Sequence, residues 1–117
     1  MHELGIITGV VQSAEVEAAK NGASKVIAVV LAVGEMTEAF EDSLRFSYEI
    51  LCPGTMLEGS TLEIVNVPPK SICLDCNTEF VHERYERMCP KCSSTHTKLI
   101  EGRDIFIKSI EVEDSDE

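Results

Sequence analysis

Four cysteines and the first three residues are the parts of this chain with the types and spacing to do chemistry. The cysteines form two knuckles, Cys73-Leu-Asp-Cys76 and Cys89-Pro-Lys-Cys92, separated by twelve residues. A two-residue gap lets both sulfurs of a knuckle turn onto one ion, and two knuckles complete a tetrahedron suited to Zn²⁺. Four thiolates leave no open position for water, so such a site is structural. Residues 70–100 hold few aliphatic side chains, so metal binding is expected to supply much of their folding free energy. Iron in a rubredoxin-like site uses the same tetrahedral sulfur set. Two disulfides would need an oxidising compartment. Asn77 and Ser93 follow the knuckles where glycine is common, and Asn tolerates the left-handed backbone there.

The second site is chemically different. In Met1-His2-Glu3 the α-amine of Met1 and the amide nitrogen of His2 close a five-membered chelate ring. The His2 amide and its own Nδ1 close a six-membered one. Three coplanar nitrogens suit Ni²⁺ or Cu²⁺ in tetragonal geometry. The first N–H groups of a helix lack intrahelical partners, which leaves the backbone free for this. Glu3 offsets the unfavourable helix dipole and also reads as an ordinary first-turn acid. His82 and His96 are each compatible with a spare zinc ligand, a fourth nickel ligand or a surface position, and the surface reading is preferred. Cys52 reads as a small buried hydrophobe. Asp75 and Glu83-Arg-Tyr-Glu-Arg87 read as a solvated, salt-bridged face. One closed and one open metal site point to a metal carrier rather than a catalyst.

The elements that must position these residues follow from periodicity. Leu4, Ile7, Val11, Ala14 and Ala18 predict an amphipathic helix over 3–21, stopped by Asn21-Gly22. Residues 25–33 are a continuous apolar, largely β-branched run, read as a central strand ended by Gly34. Thr37 is expected to cap a second helix of about 14 residues. Phe40, Leu44, Tyr48 and Leu51 would be its buried stripe, and Cys52-Pro53-Gly54 its end. Residues 61–67 alternate as a second strand, Pro68-Pro69 marks a boundary, and 104–112 form a last strand. There Ile105, Ile107, Ile110 and Val112 face inward, with a phase slip near Lys108-Ser109. The fold class is α+β: a three-stranded sheet with two helices, plus an inserted zinc-ribbon module. Residues 1–69 and 101–113 form the first domain, 70–100 the zinc-binding domain, and 114–117 an acidic tail.

The formal net charge is −11 over 117 residues. A field of that sign repels nucleic acid and anionic membranes, and the cysteine module lacks a basic stripe with stacking aromatics. Five acids lie in 111–117, and −6 remains without them. The longest apolar run, Val26 to Val33, is too short to span a bilayer. With no basic patch at the N-terminus, no signal peptide is visible, and a cytoplasmic location is expected. No Ser/His/Asp or Cys/His constellation and no phosphate loop is present, so an enzyme is not expected.

Together these features resemble the hydrogenase nickel-incorporation family (HypA/HybF). The resemblance rests on Met-His-Glu at the start, Gly34 closing a strand, Gly54-Thr55, Pro68-Pro69, Cys-x-x-Cys, Cys-Pro-x-Cys and a last strand Ile-x-x-Ile-Glu-Val. It runs in order from Met1 to about Val112. The resemblance implies a nickel metallochaperone that helps insert Ni²⁺ into [NiFe]-hydrogenase, in some organisms also urease. It implies two partners, a hydrogenase maturation GTPase and the hydrogenase large subunit. It places nickel on His2 with Met1 and Glu3, and structural zinc on Cys73, Cys76, Cys89 and Cys92. Some family members carry histidines directly beside the knuckles, whereas here they are displaced to 82 and 96.

Overall fold

A computed structural model of the chain describes residues 3–114. The order is helix α1 (Glu3–Lys20), strand β1 (Ala23–Gly34), a 3₁₀ turn (Glu35–Thr37), helix α2 (Glu41–Leu51), then strands β2 (Thr61–Val67), β3 (Lys70–Cys73), β4 (Glu79–Val81), β5 (Thr97–Glu101) and β6 (Ile105–Asp114). Two three-stranded sheets result, in the orders β2-β1-β6 and β4-β3-β5. The fold is α+β, as the sequence predicts, and the last strand does return to the sheet of the first. Among the described residues no helix is long and apolar enough to cross a membrane.

The first helix buries Ile7, Val10, Val11, Ala14 and Ala18. Its apolar stripe begins one turn later than expected, because Leu4 stays half exposed. The helix ends where the Asn21 and Gly22 N–H groups donate to the Ala18 and Ala19 carbonyls, with Gly22 at φ 72. A left-handed residue costs glycine little and closes the helix. Val26, Val29 and Leu31 of β1 are fully shut from solvent, which fits the continuous apolar run.

The start of α2 differs from expectation. Thr37 does not cap it. Thr37 lies in the 3₁₀ turn, and its hydroxyl donates to the Gly34 carbonyl at 2.7 Å. Glu38 then turns left-handed at φ 62, which no α-helix continues through. The helix therefore begins only after Phe40, which is extended and has no side-chain cap of its own. The Glu3 carboxylate accepts the Phe40 N–H at 3.5 Å instead. Phe40 is accordingly 71% exposed rather than part of the buried stripe. Leu44, Ser47 and Tyr48 form that stripe. The Tyr48 hydroxyl pairs with the Ser60 hydroxyl. Burial, partly offset by that bond, raises its pKa to about 12. Burial likewise pushes up the Cys52 thiol at the helix end, the small hydrophobe the sequence suggests.

In β6, Ile105, Ile107, Ile110 and Val112 are half-buried while Lys108 and Ser109 are both exposed. The expected phase slip is therefore present in the burial pattern. The described chain divides into two compact units. The second comprises Ala32–Glu38 and Asn66–Ile105, and the first is the remainder. Within the second unit, backbone meets backbone at Gly34, Pro68 and Gly102. The Gly34 N–H donates to the Asp104 carbonyl at 2.9 Å and the Met36 N–H to the Gly102 carbonyl at 2.8 Å. A Cβ on Gly34 would run into the Gly102 carbonyl, and one on Gly102 would lie 2.8 Å from the Pro68 oxygen. Only glycine fits this approach.

Candidate metal centre

The 70–100 stretch builds more regular structure than its composition suggests. β3 and β4 pair antiparallel with Ser71 opposite Phe80, and β3 and β5 pair antiparallel with Cys73 opposite Thr97. Cys73 thus sits at the end of the central strand, where the chain turns into the first knuckle. The two knuckles share one backbone design. In the first, the Asn77 N–H donates to the Cys73 carbonyl at 2.8 Å and the Cys73 N–H to the Thr78 carbonyl at 2.8 Å. In the second, the Ser93 N–H donates to the Cys89 carbonyl and the Cys89 N–H to the Ser94 carbonyl, both at 2.9 Å. Asn77 and Ser93 each take φ 62. This left-handed step, just past the second sulfur of each knuckle, turns the chain back so that the Thr78 and Ser94 carbonyls reach the N–H of the first cysteine.

All four sulfurs converge. Cys73, Cys76, Cys89 and Cys92 place their Sγ atoms within 4.8 Å of one another. Cys73 Sγ lies 3.5 Å from Cys92 Sγ, and Cys76 Sγ 3.7 Å from Cys89 Sγ. Metal–sulfur bonds of about 2.3 Å in a tetrahedron require edges of about 3.8 Å, so the spacing fits a single tetrahedral ion. It is too long for disulfides, whose sulfurs lie about 2.05 Å apart, and all five cysteines are free thiols. Cys73 and Cys89 are buried, and Phe80 packs against them with Cys76 at the side. Cys92 is exposed.

The metal-free thiols do not titrate alike. Cys76 Sγ lies 3.2 Å from Thr78 Oγ1. That hydroxyl, with the Thr78 N–H, holds the thiol down to about 6. Cys92 faces the Ser94 N–H, which lowers it, yet the neighbouring Cys73 thiol and the other sulfurs push it up to about 12. Crowded sulfurs resist sharing several negative charges, and a divalent cation relieves that conflict. The Lys91 N–H adds a contact to Cys89 Sγ at 3.4 Å.

Comparison with known proteins agrees with this geometry. The family model described as "Hydrogenase/urease nickel incorporation, metallochaperone, hypA" matches residues 1–112. The chain belongs to this family. It is 38% identical to hydrogenase maturation factor HypA of Azotobacter chroococcum over 97% of its own length and all of that protein. It is 34% identical to hydrogenase maturation factor HybF of Escherichia coli, again over 97% of this chain and all of the relative. The solution structure of the Ni metallochaperone HypA from Helicobacter pylori shares the fold, with a TM-score of 0.75 at 24% identity, covering 98% of this chain and 100% of that one. This is a metallochaperone family concerned with nickel incorporation, and the chain carries a four-cysteine metal site.

Of the other residues singled out in this HypA-family chain, Met1 and His2 lie outside the described residues. Glu3 opens α1, and its carboxylate is turned toward the Phe40 N–H. The four-sulfur group includes neither His82 nor His96. His82 Nδ1 lies 2.6 Å from the Glu83 carbonyl, and its Nε2 2.7 Å from the hydroxyl of the fully buried Ser71. A carbonyl only accepts, so Nδ1 donates, and in the neutral ring Nε2 accepts from Ser71. Both nitrogens are thereby occupied. His96 is largely exposed, 3.8 Å from the Asp75 carboxylate. Asp75 in turn accepts from the Ser94 hydroxyl, joining the two knuckles. Arg84, on the face expected to be solvated and salt-bridged, pairs with the exposed Glu38 at 2.6 Å and also donates to the Glu35 carbonyl at 2.7 Å.

Phe80, Thr78 and Ser71 are the residues that sequence reasoning passed over. The available signal was the short alternation Thr78-Glu79-Phe80-Val81 directly after a knuckle, which reads as a three-residue strand only once its partner is known.

Proposed function

We propose that this chain carries Ni²⁺ at its N-terminus and helps insert it into the large subunit of [NiFe]-hydrogenase during maturation. It does so alongside a hydrogenase maturation GTPase, and urease is a second client. The observation that carries this reading is the family match over residues 1–112, which takes in both Met1-His2-Glu3 and all four paired cysteines. In this reading the first unit holds the cargo and the second is a structural module. It is a carrier and not a catalyst.

The Met1 amine, the His2 amide and His2 Nδ1 hold the nickel, with Glu3 as the neighbouring carboxylate. A tridentate site at a chain end binds reversibly, as delivery requires. Cys73, Cys76, Cys89 and Cys92 hold Zn²⁺, whose role is to cross-link the two knuckles. Zinc fits the donor set, because four thiolates at tetrahedral spacing leave no position for reactive water.

Nickel binding on this ligand set needs a free amine, with an ordinary pKa of about 8, and a neutral imidazole, at about 6.5. Both bind protons more readily as the pH falls, so nickel affinity drops on acidification. Equilibrium dialysis with Ni²⁺ at pH 8 and pH 5.5 tests this. The expected result is strong uptake at pH 8 and little at pH 5.5. A short peptide fused ahead of Met1 removes the amine and should abolish tight uptake at pH 8 while leaving zinc content unchanged. Equal uptake by extended and untagged protein would place nickel elsewhere.

A further inference from the structure

The four sulfurs form one tetrahedron but are not equally sheltered. Cys73 and Cys89 are buried, with 0% and 1% of their surface exposed. Cys76 is half-buried, and its sulfur meets the Thr78 hydroxyl at 3.2 Å. The Lys91 N–H donates to Cys89 Sγ at 3.4 Å. Cys92 is the one exposed member of the group, set between the exposed Lys91 and Ser93. In a closed four-thiolate site every sulfur is already deprotonated by the metal. Access, not acidity, then decides which sulfur meets a reagent first.

The exposed sulfur also has a partner in place. Cys73 Sγ lies 3.5 Å from Cys92 Sγ, against 3.7 Å between Cys76 and Cys89. Both close pairs run across the knuckles rather than within one. A disulfide needs about 2.05 Å, so Cys73 and Cys92 have about 1.5 Å to close. Cys73 ends β3. Its N–H donates to the Thr78 carbonyl, and its own carbonyl accepts the Asn77 N–H. The outer sulfur therefore moves in toward a fixed inner one. An accessible thiolate beside a second cysteine that can resolve it is the arrangement of oxidant-responsive thiols.

We propose that Cys92 is an oxidation site, and that hydroperoxides open the metal centre through a Cys73–Cys92 disulfide. The Cys92 thiolate attacks one oxygen of the peroxide, so an S–O bond forms and the O–O bond breaks. Sulfur is oxidised by two electrons to the sulfenic acid, and the peroxide is reduced, its other oxygen leaving as hydroxide. The Cys73 thiolate then attacks the Cys92 sulfur. The S–S bond forms, and the sulfenic oxygen leaves as a second hydroxide. Two thiolates and one peroxide thus give one disulfide and two hydroxides. Only Cys76 and Cys89 remain as ligands, half of what a tetrahedral ion requires, and the zinc is released. The bridge keeps the two knuckles joined across residues 73–92, so reduction by a dithiol restores the site. Zinc as the resident metal is part of this reading; the place where nickel binds is not.

The test uses the full chain, reduced and zinc-loaded, with stepwise additions of hydrogen peroxide. Zinc release is read with a chromogenic chelator, sulfenic acid with dimedone, and disulfides by peptide mass mapping without reduction. Zinc release should track formation of the Cys73–Cys92 bridge one for one. Dimedone should label Cys92 roughly tenfold or more above every other cysteine, since oxidation follows thiolate exposure. Dithiothreitol with added zinc should return the zinc content to its starting value. Cys52→Ser should release zinc at the wild-type rate, because this fifth thiol is buried outside the cluster. Zinc retained under peroxide overturns the proposal. So does a first bridge within either knuckle or between Cys76 and Cys89, or dimedone on Cys76 ahead of Cys92. Protein that lacks zinc before any peroxide is added overturns it too, and marks the failure as one of the zinc reading rather than of Cys92.

Discussion

In the first unit Ile7, Val26, Val29, Leu31 and Leu44 are fully buried; in the second the comparable residues are Pro69, Ser71, Cys73 and Cys89. The first is an aliphatic core assembled from two helices and a sheet. The second buries Ala32 and Val33 at one end and, around the cysteines, one aromatic, Phe80, packed against sulfur. Burial of aliphatic side chains contributes about 1.5–3 kcal/mol each, and the first unit contains many of them. The second must draw its stability from cross-linking, through four sulfurs and a dense set of short backbone bonds around them. The two regions are held by different physics in one short chain, and each is separately breakable.

The sharpest way to expose the difference is to remove the metal. Structural zinc contributes about 10–16 kcal/mol in small zinc-finger peptides, far more than β3, β4 and β5 can supply alone. A strong chelator, or Cys73→Ser, should abolish amide hydrogen-exchange protection in 70–101 while α1 and the centre of β1 keep theirs. Simultaneous loss in both regions would show that the aliphatic core depends on the metal as well.

The converse change leaves the metal alone. Leu44→Ala deletes a fully buried side chain from the first unit and should cost about 2–5 kcal/mol in denaturant unfolding of that unit. Metal content should be unchanged. Release of the metal in parallel with unfolding of α2 would join what the comparison separates.

A smaller effect follows from Tyr48. Its pKa stands near 12 in the fold against an ordinary 10. The folded state therefore binds the phenolic proton more tightly than the unfolded chain does. That contribution is complete below pH 10 and is lost as pH rises through about 12. Alkaline denaturation should begin in this window, and Tyr48→Phe should flatten it while costing about 1 kcal/mol at pH 7 for the lost Ser60 bond. An alkaline limb identical in wild type and variant would assign the transition to other groups.

Much of this was legible in the sequence because the signals were long or chemically unambiguous. The period of α1, the apolar run of β1 and the paired cysteines each stand well above chance. Asn77 and Ser93 are instructive: their position after each knuckle marked where a left-handed step is needed, and both take φ 62. The start of α2 was not legible, since Thr37 is a good cap by type and nothing in the residue type of Glu38 signals the left-handed turn that displaces the helix. Nor were β3, β4 and β5, at three to five residues each, because strands that short carry too few alternations to register. The buried positions of β3 are Ser71 and Cys73, types that do not read as core, and Phe80 of β4 stands alone between two exposed residues. The salt-bridged character read for Arg84 is present, but its partner was not legible, since Glu38 lies 46 positions away.

The central claim is that two chemically distinct metal sites coexist, one resident and one for cargo. The most direct test is metal analysis of untagged protein followed by Ni²⁺ titration of wild type and His2→Ala. The account predicts one tightly held zinc in both proteins and one exchangeable nickel in wild type alone. Nickel uptake by His2→Ala equal to wild type, or zinc lost together with nickel in the variant, would contradict it.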